Sequence, residues 1–308
     1  MRTAFVETLL ELALEDERVL LITADLGWGV VEDFARTFPK RFLNVGVAEA
    51  NMLGVATGLA QAGYVPFAYS IATFSSMRCY EQLRNGPVLH GLPVRVVGIG
   101  GGFAYGHAGP THYGMEDLAI TRTQPGMTVL APADPAQTRS VVRATRQIAG
   151  PAYLRIGKGG NPEIPGLEGR FAFGRPELVR TGRDVLLLAC GTIAYEATKA
   201  AELLTGDGID AALALMAHLP FGGAEALKDL LGRFRCVTTV EEGFATGGLG
   251  SLVAETIAEG NLPCRLKIQA VTQPLVGSFG SEGYMRARCG LDAPGIARAV
   301  RALVEAAG

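Results

Sequence analysis

The chain has 308 residues, enough for two domains, and 48% of them are hydrophobic. Its formal net charge is only -2 and no run of like charge appears, so neither nucleic acid nor an anionic membrane is indicated as a partner. The five cysteines are scattered, which indicates free thiols in a reducing compartment. Since no apolar run is long enough to cross a membrane and the N-terminus lacks a signal-peptide pattern, we expect a cytoplasmic protein.

The first half of the chain alternates between strand and helix patterns. Apolar, β-branched runs predict strands at 19–24, 42–47, 65–68, 94–99, 128–131 and 152–156. Helical periodicity predicts helices at 2–15, 31–37, 48–62, 76–85, 115–122 and 135–147. Such alternation is typical of a parallel sheet covered by helices.

The second half repeats this alternation after an interruption. Prolines and glycines break the pattern after residue 157, which predicts a surface linker. Predicted strands then lie at 185–189, 211–216, 236–241 and 266–270, and predicted helices at 194–204, 224–231, 249–259 and 293–306. We therefore predict an α/β fold of two parallel-sheet domains, 1–160 and 184–308, joined by a linker at 161–183.

Glu49 is the one carboxylate in the small, apolar stretch 44–60. The predicted helix is apolar nearly all round and should be buried, and Gly54 and Gly58 lie on one face where another backbone can come close. A glutamate at a helix start has two interpretations. It is a favourable charge at the helix dipole, or a carboxyl kept from water so that it shares a proton with a bound group. Local features alone favour the first, and the lack of polar neighbours shifts the balance to the second.

Glycine clusters occur at 98–102, 206–208 and 247–250. The first follows a strand without opening a helix, so the dinucleotide fingerprint fails, and we interpret it as a mobile loop that becomes ordered over a ligand. The second is interpreted as a helix stop and tight turn. The third lies between a strand and a helix, where it either holds an anion on backbone N–H groups or permits close packing or subunit contact.

Several polar and aromatic side chains stand at predicted strand ends. Asp25 follows a strand, where open α/β sheets place their ligands. His107 and His112 share the glycine-rich loop; no cysteine or acid at ligand spacing supports a metal site, so ligand contact is the better interpretation. Phe74 is a core residue, or it forms with Ile71 and Arg78 an apolar wall with a cationic rim for a flat heterocycle.

Three stretches together resemble the transketolase family. They are Asn44-Val-Gly-Val-Ala-Glu-Ala-Asn-Met, Thr73-Phe-Ser-Ser-Met-Arg-Cys-Tyr-Glu-Gln and Gly109-Pro-Thr-His-Tyr-Gly-Met-Glu-Asp-Leu. The resemblance covers essentially the whole chain, but only the C-terminal half of a full-length transketolase. It implies the C-terminal subunit of a split, two-chain enzyme that moves a two-carbon ketol unit between sugars, with thiamine diphosphate as cofactor.

The resemblance also implies how the cofactor is shared. The domain at 1–160 would bind the pyrimidine end. The diphosphate and its Mg²⁺ or Ca²⁺ would be held mainly by an N-terminal partner subunit, because the Gly-Asp-Gly at 206–208 lacks the asparagine-rich end of the diphosphate motif. The assembly implied is an α2β2 heterotetramer acting on sugars or sugar phosphates, with no metal ligands in this chain.

Residue roles on the cofactor side follow from the resemblance alone. Glu49 would share a proton with N1′ of the aminopyrimidine and would therefore be catalytic. Phe74 and Ile71 would pack on the pyrimidine ring. Arg78 would lie near that ring, and Asp25 would lie close to the cofactor.

On the substrate side, the resemblance implies that His112, also catalytic, contacts hydroxyls of the sugar donor and that Arg155 holds a sugar phosphate. Two departures stand out. Ala108 replaces a usual acid, and Gly100 lies where a phosphate-contacting histidine is common. His107 is a candidate replacement contact, and we expect an altered or less phosphorylated ketose.

Two alternative functions remain. The β subunit of a 2-oxo acid dehydrogenase E1 component shares the fold, length, cofactor and a comparable glutamate, and dependence on a lipoyl partner would identify it. A non-catalytic scaffold subunit is the other, and it would tolerate Glu49→Gln. The Gly-Pro-Thr-His and Ser-Met-Arg motifs favour transketolase.

Overall fold

Two sheets organise the chain, for which a computed structural model describes residues 1–307. The strands are β1 Val19–Thr23, β2 Phe42–Asn44, β3 Val65–Ile71, β4 Arg95–Ile99, β5 Thr128–Leu130, β6 Ala152–Ile156, β7 Glu177–Arg180, β8 Val185–Cys190, β9 Ala211–Leu215, β10 His218–Leu219, β11 Cys236–Phe244 and β12 Arg265–Val271. Their order is β10-β5-β6-β4-β3-β1-β2 in one sheet and β12-β11-β8-β9-β7 in the other. Every residue of β1, β4, β6, β8 and β9 is buried, as strands covered by helices on both faces require.

Helices cover both sheets. They are α1 Arg2–Glu15, α2 Glu32–Thr37, α3 Glu49–Gln61, α4 Tyr80–Leu83, α5 Asp117–Arg122, α6 Pro135–Ala144, α7 Ala194–Gly206, α8 Glu225–Leu231, α9 Leu249–Gly260, α10 Glu282–Arg288 and α11 Ala293–Glu305. Within residues 1–307, no helix combines the length and the apolar character that a membrane span needs. The predicted pair of α/β domains is confirmed.

Both sheets are mostly parallel, as predicted, and each ends in one short antiparallel strand. The strand β7 lies inside the expected linker at 161–183 and pairs antiparallel with β9. The strand β10 comes from the second half of the chain but pairs antiparallel with β5 of the first sheet. Strands this short have too few residues to show an alternating apolar pattern, so the sequence did not predict them. The helix α10 was not predicted either. The expected linker therefore contributes β7 to the second sheet, and the second half of the chain contributes β10 to the first sheet.

The helix predicted over 76–85 is broken into three pieces. Single π-helical turns, Phe74–Arg78 and Arg84–Val88, flank α4. Pro87 lies in the second turn and has no N–H to donate, so a regular α-helical ladder cannot run through it. The first turn brings Phe74 and Arg78 directly after β3.

The helix α3 is not buried all round, contrary to the prediction. One face is buried, and the opposite face, with Asn51, Gly54, Gly58 and Gln61, is exposed. A Cβ built on Gly54 or Gly58 would meet no atom of this chain within 4 Å. This face of α3 therefore has open space at both glycines.

The two later glycine clusters have structural explanations. The helix α7 ends at Gly206, and Gly208 has a φ of 78°, which confirms the helix stop and turn. At the start of α9, the Glu241 carboxylate accepts the N–H groups of Leu249 at 2.8 Å and Gly250 at 2.7 Å. This chain's own carboxylate thus fills the position that an anion would take, and close packing is the correct interpretation.

Candidate active site

Glu49 is the first residue of α3, and its side chain is only 1% exposed. Gly46, with a φ of 73°, turns the chain from β2 towards this helix. The Glu49 carboxylate accepts the Ser70 hydroxyl at 3.0 Å and the Arg78 Nη1 donor at 2.7 Å. Ser70 is fully buried in β3, whereas the Arg78 side chain is 46% exposed. One partner of the carboxylate is therefore fixed and the other can move.

Aromatic contacts join Glu49 to the glycine-rich loop. The Arg78 guanidinium carbon lies 4.3 Å from the centroid of the Phe74 ring. The Phe74 ring in turn meets the His112 ring edge-on, with centroids 5.1 Å apart. Ile71 is buried at the end of β3, just before this turn. Five of the predicted site residues thus come from three distant segments and form one region, which we call the Glu49 cluster: Glu49, Ile71, Phe74, Arg78 and His112.

Tyr105 and Lys158 extend this region, and the sequence analysis missed both. The ring centroids of Tyr105 and His112 are 6.3 Å apart. The Lys158 amine lies 4.4 Å from the Tyr105 ring centroid, and no carboxylate among residues 1–307 forms an ion pair with it. Lys158 follows β6 in a glycine-rich stretch, and this strand-end position was the signal available in the sequence.

Arg155 is enclosed rather than open to a substrate. Its guanidinium forms an ion pair with Asp117 at 3.1 Å and donates to the carbonyl oxygens of Gly114 and Glu242. Burial alone would lower the pKa of Arg155, but Asp117 and other acidic groups outweigh burial and raise it. The role in holding a sugar phosphate that the family resemblance implies for Arg155 stays a prediction.

Asp25 and His107 lie outside the Glu49 cluster. Asp25 follows β1 with a φ of 56°, and its carboxylate accepts the Asn44 amide at 3.0 Å. Asp25 and Asn44 line a cavity of about 110 Å³ together with Trp28. The side chain of His107 is exposed on the turn Gly106–Ala108. In the part of the chain that the structure describes, no three His, Cys, Asp or Glu side chains are grouped to hold a metal ion.

Comparison with known proteins identifies the family. The family model described as transketolase, pyrimidine binding domain matches residues 1–162, and that described as transketolase, C-terminal domain matches residues 174–296. A 6-deoxy-6-sulfo-D-fructose transketolase subunit from Clostridium sp. strain MSTE9 is 38% identical over 99% of this chain and 94% of its own. One of the subunits of the apulose-4-phosphate transketolase of Phocaeicola vulgatus is 32% identical over 99% of this chain and 97% of its own.

A solved structure agrees with these relatives. A split-gene transketolase, described as an inactive β4 tetramer, is 34% identical to this chain and superimposes with a TM-score of 0.88. The match covers 100% of this chain and 99% of the tetramer's chain. The chain belongs to the transketolase family and is a transketolase-type subunit. Membership of this family of transferases implies thiamine diphosphate as cofactor. Neither the 2-oxo acid dehydrogenase nor the scaffold alternative is favoured by these similarities.

Proposed function

We propose that this chain is the C-terminal subunit of a two-chain transketolase, which transfers a two-carbon ketol unit between sugars and is active only with an N-terminal partner. One observation carries the proposal. The buried Glu49 carboxylate accepts a hydrogen bond from the planar Arg78 guanidinium, which lies over the Phe74 ring. This is the pair of contacts that the aminopyrimidine of thiamine diphosphate needs.

The Arg78 guanidinium is the planar group that makes those contacts in the free chain. It is half-exposed, so it can yield its place to a pyrimidine ring, while Ser70 keeps holding the other carboxylate oxygen. The residues present therefore fit the pyrimidine end of the cofactor. When bound, thiamine diphosphate supplies the electron sink for cleavage of the carbon–carbon bond beside a ketose carbonyl.

The chain's own residues would prepare this chemistry. Glu49 would hold and move a proton at N1′ of the pyrimidine, because its buried carboxylate lies beside the Phe74 ring that would carry the pyrimidine. Phe74 and Ile71 exclude water from the ring faces. His112, in edge contact with Phe74, would orient hydroxyls of the sugar donor. Asp25 would lie near the cofactor from the adjacent strand end.

A partner subunit would complete the site. The exposed face of α3, with Gly54 and Gly58, starts beside Glu49 and has room for another backbone. We assign the diphosphate and its Mg²⁺ or Ca²⁺ to the N-terminal subunit, because the Gly-Asp-Gly at 206–208 lacks the asparagine-rich end of the diphosphate motif. The related β4 tetramer is described as inactive, which agrees with a need for that subunit. We propose an α2β2 assembly in the cytoplasm, where the five free cysteines stay reduced.

The donor would be an altered ketose whose anionic far end is bound by other residues than those common in the family. Ala108 and Gly100 offer no acid or histidine, but Lys158 is a cation without a carboxylate partner near Tyr105 and His112. The relatives are named for a sulfonated fructose and for apulose 4-phosphate, both with an anionic end. We propose that Lys158, with His107 nearby on the loop, binds such an end.

Calorimetric titration tests this function. Thiamine diphosphate with Mg²⁺ is titrated into this chain, into the candidate N-terminal subunit and into their mixture. We expect tight binding by the mixture alone. Tight binding by this chain alone would mean that the diphosphate site is misplaced, and no binding in any sample would refute the cofactor assignment and favour a scaffold.

A further inference from the structure

The loop that carries both candidate histidines is built on the C-terminal domain. This loop runs from Gly100 to Gly114, and we call it the histidine loop. We propose that Glu242, held by Arg286, is a positioning residue for this loop, so that the C-terminal domain controls donor binding without touching the donor. The inference rests on the function proposed above and extends it to a domain to which the sequence assigns no chemistry.

Glu242 lies at the end of β11 and is almost fully buried. One carboxylate oxygen accepts the backbone N–H of Phe103 at 3.0 Å and the Arg286 Nε donor at 3.1 Å. The other oxygen accepts the Arg286 Nη2 donor at 2.8 Å. A two-pronged pair of this kind fixes both position and orientation of the carboxylate. Glu242 thus connects α10 of the C-terminal domain to the start of the histidine loop.

The close approach of Glu242 needs a glycine in the loop. Gly102 has a φ of 64°, and a Cβ built on it would lie 2.4 Å from the Glu242 carboxyl carbon. Gly102 and Gly114 also pair with each other, with N–H to carbonyl distances of 2.8 and 3.1 Å. The two ends of the loop are therefore closed on each other beside the carboxylate.

The same end of the loop is embedded in the C-terminal domain. Phe103, Tyr113 and Met115 are buried in the hydrophobic core of that domain. The Tyr113 hydroxyl donates to the Ser278 carbonyl at 2.6 Å, and the Gly280 N–H donates to the Gly106 carbonyl at 3.1 Å. These contacts place the base of the loop, with Phe103 and Tyr113, in the C-terminal core, and the Gly280 contact reaches its tip, which lies near the Glu49 cluster.

The tip carries the groups that would meet the donor. Tyr105 and His112 lie there, and His112 touches Phe74. Because the base is closed and His112 directly precedes Tyr113, we expect a shift of Phe103 against Glu242 to displace His112 against Phe74. Loss of the Glu242 charge would leave Arg286 with Glu282 as its remaining carboxylate and weaken the hold on the Phe103 N–H.

Glu242→Gln and its matched control Glu282→Gln test this role. Both residues pair with Arg286, but only Glu242 also binds the loop backbone. Amide hydrogen exchange of residues 100–114 is measured in the chain alone. Donor KM, kcat and thiamine diphosphate affinity are measured in the two-chain complex. For Glu242→Gln we expect about tenfold faster exchange and roughly 10- to 100-fold lower kcat/KM, mainly through KM, with cofactor affinity changed less than about twofold.

Glu282→Gln should change the exchange of residues 100–114 by less than about twofold, because Arg286 keeps its two contacts with Glu242 and Glu242 keeps the Phe103 N–H. If Glu242→Gln does not fold, Arg286→Met replaces it in the test, because it removes the group that holds Glu242. Arg286→Met should cause the same faster exchange and higher KM. Arg286→Lys should show smaller changes in both. Unchanged exchange and KM, or equal effects of both glutamine variants, would overturn the inference. Should the two-chain mixture bind no cofactor, the proposed function fails, while hydrogen exchange in the chain alone still decides whether Glu242 holds the loop.

Discussion

Glu49 is the residue on which the proposed chemistry depends. Glu49→Gln keeps the size of the side chain and an acceptor for Ser70, so the fold should persist, but an amide cannot take up and release a proton at a pyrimidine nitrogen. We expect the rate of ketol transfer by the two-chain complex to fall at least about 100-fold, with an unchanged melting temperature of the chain. Initial rates and thermal melts measure the two quantities.

Glu225→Gln is the matched control for this change. Glu225 is also an acid in the first turn of a helix, but it is exposed and lies at the start of α8. If Glu49 were only a favourable charge at the helix dipole, both variants would lose no more than about 1 kcal/mol of unfolding free energy and neither would lose activity. A Glu49→Gln complex with nearly full activity would therefore support the scaffold alternative.

Lys158 offers a second prediction at the scale of one residue. Lys158→Met removes the charge beside Tyr105 but keeps much of the side-chain length. For a ketose with a phosphate or sulfonate end, we expect KM to rise roughly 10- to 100-fold, because a charge-assisted hydrogen bond contributes about 1.5–3 kcal/mol. For a neutral ketose KM should stay the same.

Lys199→Met controls for the loss of a lysine–aromatic contact as such. The Lys199 amine lies 4.7 Å from the Tyr195 ring centroid, on α7 of the C-terminal domain. This variant should leave KM unchanged for both kinds of donor. Equal KM changes for charged and neutral ketoses in Lys158→Met would refute binding of the anionic end.

At the scale of elements, the length of the apolar run decides what the sequence predicts. The strand β8 was predictable as a continuous apolar run, and the helix α7 because its buried residues recur at helical spacing. The strand β10 has two residues and owes its conformation to β5, far away in sequence. The same holds in the site. The motifs predicted Glu49 and Phe74, whereas the burial of Arg155 depends on Asp117 and on a domain packed against it.

The helix α3 provides a test of the missing partner. The methyl group added by Gly54→Ala or Gly58→Ala would have no atom within 4 Å apart from the helix's own backbone. Alanine also favours the helix over glycine by about 1 kcal/mol. We therefore expect each variant to raise the unfolding free energy of the chain alone by up to about 1 kcal/mol. If the partner backbone packs on this face, the same added methyl groups should weaken assembly of the two-chain complex, measured by calorimetry.

Gly283→Ala separates the two effects. Gly283 is an exposed glycine inside α10 with open space at its Cβ position, so it should gain helix stability in the same way. Its substitution is not expected to change assembly. Assembly that is unaffected by both α3 variants would place the partner elsewhere on the chain.

At the scale of the whole molecule, β10 joins the second half of the chain to the first sheet through its pairing with β5. His218 lies in β10, and we expect it to make the unfolding free energy depend on pH. The His218 Nδ1 accepts the Gly174 N–H at 2.8 Å, and burial lowers the pKa of His218 to about 4. Between this value and the usual one near 6.5, the unfolded chain binds more protons than the folded chain. The unfolding free energy should therefore fall with decreasing pH across this window.

His218→Gln tests this link, because glutamine can still accept the Gly174 N–H but does not titrate. Between pH 7.5 and pH 5, the unfolding free energy of the native protein should fall by about 2 kcal/mol more than that of the variant, because only the native protein carries His218. Urea unfolding of both proteins at the two pH values gives the difference, in which the carboxylates common to both cancel. An equal loss in the two proteins would mean that His218 is protonated without disturbing β10, and that the acid sensitivity of the molecule arises in other groups.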